Sequence, residues 1–257
     1  MKQKETVTLR SAVEKDAQAI YRLKREAFGA NYLQFTIYRS EKAVAHIRRS
    51  ISSEDEIFTV AERHRELAGY ANVGFANHQP ILNYIAIANT SRGAGLGSRL
   101  LQAIESETSG RGFGTLALNV FESNPGVVAW YRKSGYSIVS QSFLYRIDLA
   151  RAMRKNSRGQ VDSSLWQAAL AAEEQNGFSK VAVSVIEGGM TLGLIGGVAC
   201  KLLGYRGISL DEAIAAAAGM VNGARRELIV SSMEAPELDC QFQLLSLEVS
   251  LRMAKQL

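Results

Sequence analysis

Apolar positions over residues 13–28 recur three and four apart, at Ala17, Ile20, Tyr21, Leu23 and Ala27, and predict a helix with one buried face. A short alternating strand precedes it at 6–10. A second helix is expected over 41–51, capped by Ser40 and carrying Val44, Ile47 and Ile51. The segment between them, 29–38, holds Tyr32, Phe35 and Tyr38, which can serve as core or as one wall of a pocket. Strands are then expected at 57–61 and 67–75, joined through the charged turn Glu62-Arg63-His64-Arg65-Glu66. The next strand ends at Ile87, and Pro80 can only begin it, having no N–H to donate. These three strands read as an antiparallel meander. Beyond them come a helix from Leu96 with Leu100, Leu101 and Ile104 on one face, a strand at 115–121, and a helix opened by Pro125 and closed by Gly135. Strands at 137–140 and 143–149 complete the first part.

The second part reads differently. Residues 151–160 are polar, basic and glycine-bearing, and suggest a linker over 151–162 between a domain at 1–150 and another at 163–257. Helices are expected at 164–175, at 190–203 and from the capping box Ser209-Leu210-Asp211-Glu212 to about Leu228. A last helix would begin at Pro236 with Leu238, Phe242, Leu245, Val249 and Met253 on one face, and a single strand would fill 180–186. This predicts a mainly helical C-terminal domain of unknown role. Gly193, Gly196, Gly197 and Ala199 would form a small-residue surface suited to close helix packing, onto the first domain or across a homodimer. Residues 112–122 and 177–187 share a Gly-Phe start and an apolar alternation, and each is followed by a stretch ending Gly-Tyr. That parallel could mark a degenerate second copy of the first part's fold, but it is read as coincidence of a common pattern, because the second copy lacks a glycine loop, has Cys200 where Tyr131 would align and needs an insertion.

Composition changes this picture little. Of the net charge of +5, all lies in residues 1–150, which hold 19 Lys and Arg against 14 Asp and Glu. Without aromatic residues interleaved among the basic ones, a solvated basic surface is expected rather than a nucleic-acid partner. No apolar run follows Met1 and none is long enough to span a bilayer, so a cytoplasmic protein without membrane contact is expected. Cys200 and Cys240 show no metal or pairing spacing, and residues 151–257 contain no His, so no metal is expected.

The chemistry concentrates where a strand meets glycine: Asn83-Tyr84-Ile85-Ala86-Ile87, then Arg92-Gly93-Ala94-Gly95-Leu96-Gly97-Ser98. Glycines at alternate positions let backbone N–H groups converge, and the following helix adds its unpaired N–H groups and positive dipole end. Such a turn cradles a pyrophosphate. A Walker loop is excluded because Ser98-Arg99 follows Gly97, and a dinucleotide loop because the spacing is G-x-G-x-G. The sequence Arg92-Gly93-Ala94-Gly95-Leu96-Gly97 resembles the R-x-x-G-x-G acyl-CoA loop of the GNAT superfamily of N-acetyltransferases. A second signature of that family, N-x4-A-x-Y-x3-G-[FY], is filled by Asn124, Ala129, Tyr131, Gly135 and Tyr136.

The resemblance covers residues 5–149 and implies an α/β fold. In it a mixed, mostly antiparallel sheet splays open between the fourth and fifth strands, with helices on its flanks. It implies acetyl-CoA as acyl donor, with the pantetheine arm along Ile85, Ala86 and Ile87 and the pyrophosphate on Arg92 to Ser98. Asn124 would hydrogen-bond the arm, and Tyr131 would be the general acid for the departing thiolate. The acceptor would be a primary amine of a small molecule, peptide or protein. One departure stands out: many relatives place a carboxylate on the fourth strand, and residues 81–87 contain none. Glu122, or His78 through water, is left as the base, with Tyr84 ordering that water. Tyr32, Phe35 and Asn83 would line the acceptor side. Two other readings stay open: an acyl-CoA sensor with little catalysis, consistent with the missing carboxylate, and an acetyltransferase for tRNA or ribosomal substrates, suggested by the basic first part.

Overall fold

A computed structural model describes residues 7–28, 30–76, 78–149, 160–220, 227–235 and 242–257. The chain divides into two compact units. The first comprises residues 1–33, 43–140 and 251–257, and the second 34–42 and 141–250.

In the first unit, β1 (Thr8–Ser11) is followed by α1 (Ala17–Ala27), α2 (Ala30–Leu33) and α3 (Ala43–Ile51). The meander β2 (Glu56–Arg63), β3 (Glu66–Ala76) and β4 (Gln79–Ile87) then leads into α4 (Leu96–Gly110), β5 (Thr115–Phe121) and α5 (Pro125–Lys133). A further strand, β6 (Ser137–Asp148), leaves this unit after residue 140, so the two short strands expected there are one. β1 to β4 are antiparallel neighbours, and β5 lies parallel to β4. Gly69 and Tyr70 are consecutive on β3, so they face opposite sides. A Cβ on Gly69 would meet Leu100 of α4, whereas Lys24 of α1 lies over Tyr70, which puts α4 and α1 on opposite faces of the sheet.

β4 carries an extra residue. Its register against β3 shifts between Tyr84 and Leu82, which makes Asn83 a bulge. β5 pairs with β4 only before that point, at Ile81 and Leu82. From Tyr84 onward β4 diverges from β5, which is the splay that the family resemblance implies.

The second unit corrects the mainly helical expectation. It holds α6 (Ser163–Asn176), β7 (Phe178–Val185), β8 (Gly188–Ile195), β9 (Ala199–Arg206), α7 (Leu210–Met220), β10 (Glu227–Ser232) and the start of β11 (Gln243–Gln256). The expected helix at 190–203 is the β8–β9 hairpin, turning at Gly196 and Gly197, both with positive φ. Met190, Leu192 and Leu194, two apart, pack into one core cluster while Ile195 packs into another, the period of a strand. The predicted small-residue surface is therefore no helix face, and the homodimer expectation loses its basis. The expected last helix is β11, whose Leu251 and Met253, two apart, are both buried. Spacings of four suit either period, which is why Leu245, Val249 and Met253 misled. The expected start of that helix, Pro236 with Leu238, lies outside the described residues, as do Cys240 and most of the expected linker.

Strand by strand, the second unit repeats the first. β7, β8 and β9 form an antiparallel meander, α7 follows, and β10 returns parallel to β9, as β2 to β5 do around α4. Gln160 bridges β7 as β1 pairs with β2. β9 even carries a matching bulge at Leu203, and β10 pairs with it only before that bulge, at Ala199, Cys200 and Lys201. The sequence parallel between 112–122 and 177–187 is not this repeat, since it sets β5 against β7. Each unit's sheet continues past its fifth-strand position with part of a shared strand: residues 251–256 of β11 follow β5, and residues 141–148 of β6 follow β10.

Candidate functional site

Between β4 and α4 the chain makes a single 3-10 turn, Asn89–Ser91, and then runs exposed through Arg92 to Gly95. Gly93 and Gly95 have φ of 80° and 72°, and a Cβ at either would meet nothing within 4 Å. Glycine is required there by backbone conformation, not by crowding. Gly95 is the N-cap of α4, no side chain caps the helix, and its first turn carries no acidic residue. The N–H groups of Leu96, Gly97 and Ser98 have no intrahelical acceptor by helix geometry, so the loop presents a converging set of donors with a positive dipole end.

The neighbours hold this loop in place. Glu26 accepts from Asn89 N at 2.6 Å, Arg92 Nε donates to Ile87 O at 3.4 Å, and Trp130 Nε1 donates to Ser98 Oγ at 3.4 Å. The last contact ties α5 to the loop. Asn124 is the N-cap of α5, yet its side chain makes no cap hydrogen bond and lies exposed just past β5. An Asn at this position ordinarily caps, so its amide stays available to another partner.

Tyr131 is buried at 6% exposure, with its ring 4.7 Å from Trp130 and 5.6 Å, edge-on, from Tyr136. Burial raises its phenol pKa well above the ordinary value, so the hydroxyl stays protonated across the physiological range. On β4, Ile85 and Ile87 are half-buried and Ala86 is buried. Asn83 is exposed, its amide lying over Gly74, where an added Cβ would stand 2.6 Å from Nδ2.

The base candidates stand on different segments. Glu122 is exposed immediately beyond β5. His78 occupies the β3–β4 turn with φ 59°, about 20 Å along the strand from Tyr84 at the usual rise per residue. Tyr84 is half-buried, and Lys24 Nζ sits 3.6 Å from its ring centroid. Phe35 belongs to the second unit, where it lies 4.2 Å from the Arg146 guanidinium.

Tyr32 does join an aromatic run that the sequence reading did not assemble. Tyr84 meets Phe28 edge-on at 5.6 Å, Phe28 stacks on Tyr32 at 5.2 Å, and Tyr32 meets Phe121 edge-on at 5.8 Å. All four are half-buried, and together they connect the splayed ends of β4 and β5. Lys24 was missed as well. It is 1% exposed, and burial pushes its ammonium pKa far down, with Glu56 opposing the shift. Its signal was legible, since it falls four residues after Ile20 on the buried stripe of α1.

The second unit starts α7 in the opposite way. Glu212 accepts from Ser209 N at 2.7 Å and Ser209 Oγ accepts from Glu212 N at 3.2 Å, the capping box expected from sequence. Asp211 and Glu212 both stand in the first turn. Among the described residues no group of three or more His, Cys, Asp or Glu could hold a metal ion, and no helix is long and apolar enough to cross a membrane.

Comparison with known proteins bears on this geometry directly. Residues 17–136 match the family model described as acetyltransferase (GNAT) family. No curated protein matches the chain significantly in sequence. Among solved structures, the tandem GNAT protein from the clavulanic acid biosynthesis pathway is similar over 98% of each chain, at 11% identity and a TM-score of 0.68. A GCN5-related N-acetyltransferase from Sphaerobacter thermophilus is similar over 97% of this chain and 95% of its own, at 14% identity and 0.62. One from Kribbella flavida covers 98% and 71%, at 14% identity and 0.61. At these identities the likeness is one of fold, and it extends over both units. The two signatures are seated on the loop and on α5, and both fall within residues 17–136, the part of the chain that matches the acetyltransferase (GNAT) family model.

Proposed function

We propose that the first unit transfers an acetyl group from acetyl-CoA to a primary amine of a small molecule, peptide or protein. The observation that carries this reading is the uncapped, acid-free start of α4 behind the left-handed Gly93 and Gly95, with Gly97 beside Ile87 of the strand that parts from β5. These residues fit the donor: Arg92 to Ser98 would hold its pyrophosphate, the backbone of Ile85 to Ile87 its pantetheine arm, and Asn124 a polar group on that arm. Bound there, acetyl-CoA supplies an activated thioester carbonyl.

The protein's own part is modest. Backbone N–H groups of β4 orient and polarise, and proximity supplies much of the rate. Tyr131, kept protonated by burial, donates a hydrogen bond to the departing sulfur. Its raised pKa makes complete proton transfer less favourable than for an ordinary phenol, so stabilising the thiolate is the larger contribution. Tyr32, with Phe28 and Phe121, forms the acceptor wall. With no carboxylate on β4, the acceptor amine loses its proton to solvent or through water near Glu122.

The missing carboxylate also favours a second reading, an acyl-CoA sensor. Thiol release followed with DTNB over a panel of amines separates the two. Turnover that collapses in Tyr131→Phe supports the enzyme, whereas acetyl-CoA binding with no turnover on any acceptor supports the sensor.

A further inference from the structure

The last seven residues of the chain belong to the first unit. They lie beside β5, where Leu257 N donates to Gly114 O at 2.9 Å, Arg252 reaches Asn119 Oδ1 at 3.2 Å, and Gln256 accepts from Thr115 Oγ1 at 3.1 Å. Lys255 goes deeper. Its Nζ donates to Glu105 Oε2 at 2.8 Å, and the other oxygen of that carboxylate accepts from the Tyr136 hydroxyl at 2.9 Å. Glu105 is 8% exposed and Tyr136 2%. Tyr136 in turn touches Tyr131 twice, through the edge-on ring contact and through its N–H, which donates to Tyr131 O at 3.1 Å.

One buried carboxylate thus joins three elements. Glu105 rides on α4, the helix whose start is the candidate pyrophosphate cradle, Tyr136 follows the end of α5, and Lys255 arrives on β11. Glu105 is buried whereas the Lys255 side chain is half-buried, and a core built only for stability would put an apolar side chain in place of Glu105, because taking a carboxylate out of water carries a cost that its partners must offset. The polar arrangement makes sense as a device that fixes geometry, since a hydrogen-bonded ion pair has a narrower set of orientations than an apolar contact.

We propose that Lys255 and Glu105 are positioning residues for Tyr131, acting through Tyr136, so that the C-terminal end of the chain is a working part of the first unit's acyl-transfer site. This rests on the reading of Tyr131 given above. It also assigns the C-terminal half a role, which is to deliver the strand that braces the site.

The test uses the full chain with Lys255→Met, Lys255→Arg and Glu105→Gln, the last keeping an acceptor for Tyr136 while removing the charge that Lys255 meets. Three quantities are measured: kcat and KM for acetyl-CoA in the DTNB assay, the melting temperature, and the ring resonance of Tyr131 in ¹³C-tyrosine-labelled protein, assigned with Tyr131→Phe. Lys255→Met is expected to lower kcat about ten-fold or more, the scale of losing a charge-assisted hydrogen bond. KM for acetyl-CoA should hold and the Tyr131 resonance should move, with Lys255→Arg restoring most of both. A fall in melting temperature with unchanged kcat and an unmoved resonance overturns the proposal. Should Lys255→Met fail to fold, Glu105→Gln and Lys255→Arg decide by the same criteria. Should the wild type turn over no amine, the acyl-transfer reading fails separately, and the Tyr131 resonance still decides whether the brace exists.

Discussion

The helix after β4 and the helix after β9 stand at the same point of the same strand order, and they begin in opposite chemistry. α4 opens on a left-handed glycine with no acid in its first turn, whereas α7 opens on a capping box with two. Counting from the N-cap, Ser98 and Glu212 occupy the same third helical position. A helix N-terminus attracts an anion in either case, and in α7 the anion is the protein's own carboxylate. The connection differs too: residues 88–95 link β4 to α4, whereas 207–209 link β9 to α7, too few to form a cradle. A shared backbone therefore does not carry a shared ligand site. What distinguishes the two is whether the helix start was left open.

The sharpest test of that contrast is on the catalytic side of the first unit. Tyr131→Phe is expected to cut kcat by about 10²–10³, the range for losing one hydrogen-bond donor to a developing anion, with KM for acetyl-CoA little changed. A variant with wild-type kcat would reduce Tyr131 to a core aromatic beside Trp130. Next, Ser98→Glu copies the carboxylate of α7 into α4. Calorimetry should show one acetyl-CoA per wild-type chain and, in Ser98→Glu, affinity lower by about 10–100-fold through like-charge repulsion at the helix start. Two equivalent sites per chain would break the comparison.

A smaller effect concerns Lys24. Its folded pKa lies far below the unfolded value, so the unfolded chain binds the extra proton and stability rises with pH towards the ordinary lysine range. Lys24→Met should raise stability near neutral pH by about 1 kcal/mol or more, roughly 2–4 °C in melting temperature. The gain should shrink by pH 10, as melting curves against pH will show. Equal gains at both pH values would mean that Lys24 is charged when folded. The smallest effect is on the second unit's own cap. Ser209→Ala should cost about 1 kcal/mol, read from denaturant midpoints, without creating a second acetyl-CoA site.

Much of the first unit was legible because its signals are local. The glycine loop, the Pro125 start and Gly135 end of α5, the β2–β3 turn and the Ser209 capping box all declare themselves within a few residues. Elements of the second unit were lost where spacing is ambiguous. Apolar residues four apart satisfy both helix and strand, and in 190–203 the glycines that made a helix look closely packed are those that turn a hairpin. The site divides in the same way. The cradle and Tyr131 follow from motif, but the aromatic run through Phe28, Tyr32, Tyr84 and Phe121 joins residues far apart in the chain.

By itself, then, the sequence determined the glycine loop, the place of Tyr131 and the match of residues 17–136 to the acetyltransferase (GNAT) family model, because each depends on residue types at short, fixed spacings. Only the tertiary structure decided that the C-terminal half repeats the fold of the first, that its helix start is closed by Glu212, and that Lys255 reaches Glu105 and Tyr136 beside Tyr131. The reason is physical: strand partners and buried ion pairs are chosen by which surfaces remain to be covered once every element has packed, and no local spacing encodes that choice.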